Sequence, residues 1–182
     1  MSRPAPARRA IQACVLATFI AVLAACALPV AETPRPEAPV PTPANLIDAT
    51  DPQPISDIAW RYGEAAWGKD SLRDPIIRAK MGEIDYEIEF YGCKEGRDCQ
   101  DLRFVARREI GKIAPKAVAE WNAGRRFGKL RRLDKTDLGH RIEVEMNVTL
   151  AGGVTRQNLD IVFDWWRVVV DDFASLEGVS GS

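Results

Sequence analysis

The stretch that decides the fold is "EIDYEIEFYGCKEGRDCQDLRFVAR", residues Glu83 to Arg107. In its first arm Ile84, Tyr86, Ile88 and Phe90 alternate with Asp85, Glu87 and Glu89. In its second, Leu102, Phe104 and Ala106 are set against Arg103 and Arg107. A period of two is that of a strand with one buried and one wet face. If Cys93 faces Cys99 across an antiparallel hairpin, paired residue numbers sum to 192. That register sets Phe90 against Leu102, Ile88 against Phe104 and Tyr86 against Ala106. On the other face it sets Glu89 against Arg103 and Asp85 against Arg107. Apolar meets apolar and opposite charges meet, as cross-strand energetics favour. A slip of one residue would mix the two faces. The five residues between the cysteines then form the exposed tip of the hairpin.

Upstream, "PIIRAKM" (Pro75–Met81) adds a strand, so the three segments predict a meander. Before it, residues 54–60 read as a short helix stopped near Gly63. Downstream, "APKAVAEWNAGRRF" is a helix with Pro115 in its first turn and Arg125 and Arg126 in its last, near the negative end of the helix dipole. "GKLRRLDKTDLGHRIEVEMNVTL" predicts a second hairpin around residues 137–139. Its long arm puts Ile142, Val144, Met146, Val148 and Leu150 on one face. Gly152-Gly153 makes a turn, and Thr155 is placed to cap the last helix. There Leu159, Phe163, Trp166, Val170 and Phe173 recur at spacings of three and four, the stripe of a helix lying on a sheet. The predicted order is helix, three strands, helix, two strands, helix: an α+β domain with an antiparallel sheet flanked by helices.

The N-terminus supplies the compartment. Arg3, Arg8 and Arg9 precede an apolar run from Ala10 to Ala25, the layout of a secretory signal over residues 1–25. Gln12 and Pro29 make it a poor spanning helix, which needs roughly 20 apolar residues. Leu23-Ala24-Ala25-Cys26 resembles the lipobox of bacterial lipoproteins, which implies a diacylglyceryl group on Cys26. Ordinary cleavage near Ala25-Cys26-Ala27 is the alternative and would leave a soluble periplasmic or secreted chain. Ala27 after the cysteine favours the outer membrane by the same resemblance. Residues 26–54 then form a proline-rich tether. At about 3.1 Å per residue it would hold a domain up to roughly 80 Å from its anchor. The domain proper is expected at 55–176, with a fraying tail at 177–182. Removing the three arginines before Cys26 from the 25 basic residues leaves 22 against 26 acidic ones. A mildly acidic exported chain argues against nucleic acid as a partner.

In an oxidising envelope Cys93 and Cys99 are read first as a disulfide, stabilising by about 2 kcal/mol in the chain-entropy model. Free thiols or a redox centre are the alternatives. A thioredoxin-like motif wants two intervening residues, not five. Zinc needs four ligands, and only His140 is available beside the two thiols. His140, the sole histidine, opens a strand after a turn glycine and is expected to be exposed. The rows Asp85/Glu87/Glu89 and Glu143/Glu145 could supply paired carboxylates for acid–base work, but alternation makes them the solvated side of a sheet. Arg125, Arg126, Lys129, Arg131, Arg132 and Lys135 form the densest basic cluster. They are a candidate patch for an anionic partner, with a solvated helix end as the plainer reading. Gly152-Gly153 lacks the lysine and hydroxyl of a phosphate loop.

Taken together, "FYGC…C…LRF", "EWNAGRRF" and "GGVTRQNL…W" resemble the YbjN family of bacterial proteins, described as sensory transduction regulators. The residues that carry the match are Phe90, Tyr91, Gly92, Cys93, Cys99, Phe104, Trp121, Asn122, Arg125, Phe127, Gly152, Gly153, Asn158, Leu159 and Trp166. The resemblance implies a fold similar to type III secretion chaperones, a homodimer by that analogy, and no catalytic residues. The leader and tether depart from it. The expectation is a non-enzymatic, lipid-anchored domain without cofactor or metal that binds a protein or peptide in the cell envelope. The alternatives are an envelope enzyme using His140 or carboxylates, or a thiol-redox protein using Cys93 and Cys99.

Overall fold

The computed structural model describes residues 46–137 and 139–177. The expected signal peptide, Cys26, the tether up to residue 45, Leu138 and the end of the tail lie outside the described residues. The elements are β1 (Leu46–Ile47), α1 (Gln53–Ala59), β2 (Ala65–Lys69), β3 (Pro75–Met81), β4 (Ile84–Tyr91) and β5 (Asp101–Ile110). After these come α2 (Pro115–Ala123), β6 (Lys129–Thr136), β7 (Gly139–Thr149), β8 (Val154–Thr155) and α3 (Arg156–Ala174). The class is α+β. Six antiparallel strands run in the order β2-β3-β4-β5-β7-β6, and β1 pairs with β8 in a separate two-stranded ladder.

The central hairpin adopts the register with sum 192: Tyr86 opposes Ala106, Ile88 opposes Phe104, Glu89 opposes Arg103 and Phe90 opposes Leu102. Cys93 and Cys99 are joined by a disulfide. Between them Lys94 and Arg97 exchange backbone hydrogen bonds around Glu95 and Gly96. Both of these have positive φ, the turn type that matches strand twist in a two-residue hairpin. Asp98, also at positive φ, absorbs the one-residue step between this turn and the ladder below it. The tip is not wholly exposed. Gly96 is buried, and a Cβ there would lie 2.4 Å from the Arg73 carbonyl oxygen. The turn between β2 and β3 thus docks on the cystine loop.

All three described helices contribute to one core on one side of the sheet. Ile55 and Ile58 of α1, Trp121 of α2 and the stripe Leu159, Phe163, Trp166, Val170 and Phe173 of α3 pack against Ile77, Tyr86, Ile88, Leu102, Phe104, Ile142 and Val144. Phe104 meets Phe163 edge-on at 5.2 Å and Trp166 at 5.6 Å between ring centroids. Thr155 accepts a hydrogen bond from the Asn158 N–H at 3.1 Å, so the expected cap starts α3. At the other end Arg108, its charge disfavoured by burial, donates to the carbonyls of Phe173 and Leu176 and closes the helix.

The structure corrects the predicted order at three places. The meander has four strands, because β2 precedes β3. Its sequence Ala65-Ala66-Trp67-Gly68-Lys69 has no alternation to betray it. The folded unit reaches back to Leu46, so residues 46–54 are part of the fold rather than of the tether. Finally, α2 ends at Ala123, which leaves Arg125 and Arg126 beyond the helix they were expected to finish.

Candidate partner-binding face

Because every described helix lies on one side, the odd-numbered positions of β4, β5 and β7 form a sheet face that no described element covers. Its charges alternate strand by strand. Arg78 and Lys80 lie on β3, Asp85, Glu87 and Glu89 on β4, and Arg103 and Arg107 on β5. Glu143 and Glu145 follow on β7, with Lys129 and Arg131 on β6.

These side chains bond to one another. Arg103 donates to Glu145 at 2.7 Å, to Glu89 at 2.9 Å and to Glu143 at 2.7 Å. Arg107 donates to Glu143 at 2.7 Å, Glu87 at 3.1 Å and Glu89 at 3.2 Å. Arg131 reaches Glu143 and, at 3.1 Å, Glu145. Glu143, the hub, is only 3% exposed, and Val105 beneath the arginine stems is 1% exposed. Of the carboxylate rows expected on a solvated face, Asp85 stays exposed with Lys80 4.0 Å away, whereas Glu89, Glu143 and Glu145 are largely desolvated and bonded to arginine forks. Burial opposes the charge on Glu89, but hydrogen bonds from Tyr91, Arg103 and Arg107 outweigh it and lower its titration below the usual carboxylate range. Burial likewise opposes the charge on Arg103, and Glu145, Glu89, Tyr91 and Glu143 reverse it, moving its titration upward. Glu89 held in this way is not poised as a general acid.

Two depressions flank this lattice. One, of about 730 Å³, is lined by Trp60, Glu64, Ala66, Arg78, Glu87, Val105 and Arg107 among others. The other, of about 640 Å³, is lined by Tyr91, Arg103, Arg131, Glu145, Asn147 and Thr149 among others. The first has small residues on its floor and an exposed Trp60 at its side. Sequence reasoning missed it because Ala66 lies on the unrecognised strand.

The remaining candidates are dispersed. His140 is buried at 8% exposure, not exposed, and its Nδ1 accepts the Ile113 N–H at 3.2 Å. It ties the loop before α2 to β7. The basic cluster does not converge on one patch. Arg125 pairs with Asp172 at 2.7 Å and lies over Trp121, and Arg126 lies over Phe127. Lys129 donates to the Asn122 carbonyl. Arg131 belongs to the open face, whereas Arg132 donates to the Ile113 carbonyl. Lys135 opposes His140 across the β6–β7 bulge. On the solvent side of α3, Ile161, Trp165 and Val168 are exposed, with Phe127 stacked on Trp165 at 4.2 Å. Among the described residues no group of three or more His, Cys, Asp or Glu is arranged to hold a metal ion. No described helix is long and apolar enough to cross a membrane.

The fold and site together define a class: an α+β domain whose antiparallel sheet is covered by helices on one face and open on the other. The chain belongs to the YbjN family, whose description is "Putative bacterial sensory transduction regulator" and which matches residues 57–176. A crystal structure of YbjN from E. coli, there called "a putative transcription regulator", is similar at 12% identity with a TM-score of 0.47. The similarity covers 71% of this chain and 95% of that one. No curated protein matches the chain.

Proposed function

We propose that this is a non-enzymatic, regulator-like or chaperone-like YbjN domain that binds a protein or peptide partner on its open sheet face. The observation that carries the reading is the one-sided cover of the sheet. Its free side is large, cross-linked by arginine–carboxylate bonds and indented beside Trp60, and its central glutamates are each bonded to arginines. Specific recognition needs such shape with pre-set charges more than it needs reactive groups.

We place the domain in the cell envelope, facing the periplasm and held to the outer membrane through a lipid on Cys26. Supporting this are the lipobox-like Leu23-Ala24-Ala25-Cys26, the prolines that follow, and a cystine suited to an oxidising compartment. Chemical crosslinking in intact envelopes followed by purification of the chain is expected to recover a discrete partner. Recovery of the bare chain alone would contradict the reading. Intact-mass measurement of the mature protein is expected to show a diacylglyceryl-modified Cys26 at the N-terminus and a two-proton deficit at Cys93 and Cys99.

A further inference from the structure

The two edges of the six-stranded sheet are built differently. Edge strand β6 carries Lys129, Arg131, Arg132, Asp134 and Lys135, and its pairing with β7 shifts register between Arg132 and Lys135. Charge and a bulge are the devices by which an exposed edge refuses a further strand. Edge strand β2 has neither: it is uncharged from Ala65 to Gly68, lacks proline and pairs with β3 without a break.

Neighbouring hydrogen bonds fix which backbone groups of β2 are spare. The Lys80 N–H donates to the Glu64 carbonyl at 2.8 Å, and the Asp70 N–H donates to the Asp74 carbonyl at 2.9 Å. Even-numbered residues therefore bond inward. Antiparallel alternation turns the N–H and C=O of Ala65, Trp67 and Lys69 outward. Pro75, which has no donor, sits opposite Lys69 in a position that needs none.

We propose that β2 accepts an extended peptide segment of the partner as an added antiparallel strand, a site that rests on the reading of this domain as a protein or peptide binder. Main-chain bonds to Ala65, Trp67 and Lys69 supply the affinity, as in other edge-strand recognition. On the open side Ala66 and Gly68 are small. A bulky apolar side chain next to them lies against Ala66, on the near rim of the 730 Å³ depression. On the helix side it meets Trp67, which is 45% exposed. Glu64 and Lys69 have no ion-pair partner among the described residues and bracket the edge, about 17 Å apart at strand spacing. The complementary segment therefore begins with an acidic residue beside Lys69 and ends with a basic one beside Glu64. Apolar side chains in between point to the open face.

The probe is the synthetic peptide Asp-Ile-Thr-Ile-Thr-Lys, labelled at one end and titrated into the full mature chain. A second copy of the peptide is N-methylated at both threonines, whose amides face Ala65 and Trp67. The unmodified peptide is expected to bind, to slow amide exchange at Ala65, Trp67 and Lys69, and to bind at least about tenfold more tightly than the methylated one, the loss of one or two hydrogen bonds. Ala65→Pro removes an outward donor without touching the ladder to β3 and is expected to weaken binding similarly at unchanged Tm. Equal binding of the two peptides, no binding of either, or a folded Ala65→Pro chain that binds normally would overturn the proposal. So would a concentration-dependent dimer abolished by Ala65→Pro, since the occupant would then be a second copy. If the Ala65→Pro chain still captures its crosslinked partner in envelopes, strand addition fails while partner binding stands. If the wild-type chain captures none, partner binding itself fails.

Discussion

The two faces of β5 are made from alternate residues of one decapeptide, yet different forces hold them. Leu102, Phe104 and Ala106 lie in an aromatic and aliphatic core with α3, while Arg103 and Arg107 lie in a lattice of glutamates from β4 and β7. The first face gains from area removed from water, a term indifferent to partner geometry. The second gains only when each fork meets its carboxylate, and it loses heavily when one member goes. The lesson is that an uncovered sheet face need not be a solvated one. Here it is a second ordered layer, made of charge, on which a partner can find a fixed pattern.

Substitutions probe this contrast from the largest effect downward. Trp166→Ala removes the side chain between Phe104 and Tyr86 and should cost about 3–5 kcal/mol in chemical denaturation, with little dependence on salt. Glu143→Ala strips a common acceptor from Arg103, Arg107 and Arg131. A loss of about 3 kcal/mol is expected, as for breaking a buried pair. A loss below about 1 kcal/mol would mean that the lattice behaves as an ordinary surface network.

Replacing Cys93 and Cys99 together by serine should cost about 2 kcal/mol. Exchange should quicken first at the hairpin tip and at the docked Arg73 turn. The pH dependence is gentler. Glu89 titrates lower when folded, so its contribution is fully present above the unfolded carboxylate value of about 4.3. It is lost as pH falls through the lower folded value. Glu89→Gln should flatten that part of the acid limb, measured as stability between neutral and acidic pH. Smallest is Arg78→Ala on the exposed flank, where the pair with Glu87 should be worth about 0.5 kcal/mol.

Much of this architecture was legible in the residue order. The central register followed from two period-two arms that agree only in one frame, and the buried stripe of α3 followed from its three-and-four spacing. The missing strand was not legible, because two alanines and a glycine carry neither alternation nor β preference. The open-face lattice was hidden for another reason. Glu143 and Glu145 alternate with apolar neighbours as solvated residues do. Their burial arises because β7 pairs with β5 from some forty residues away, bringing Arg103 and Arg107 alongside. Strand order, which local pattern does not encode, converts those exposed-looking charges into a layer. The burial of His140 has a similar origin: it depends on the loop at Ile113 folding over β7, not on its own neighbours in sequence.

Whether the open face or the helical layer meets the partner is tested most directly by placing a photo-crosslinking residue at Ala66 in one version of the full chain and at Val168 on the outer side of α3 in another. Both are illuminated in intact cells. With the partner on the open face, a discrete heavier adduct is expected from position 66 and none from position 168. An adduct from position 168 alone would contradict that placement and move the partner to the Trp165 stripe of α3.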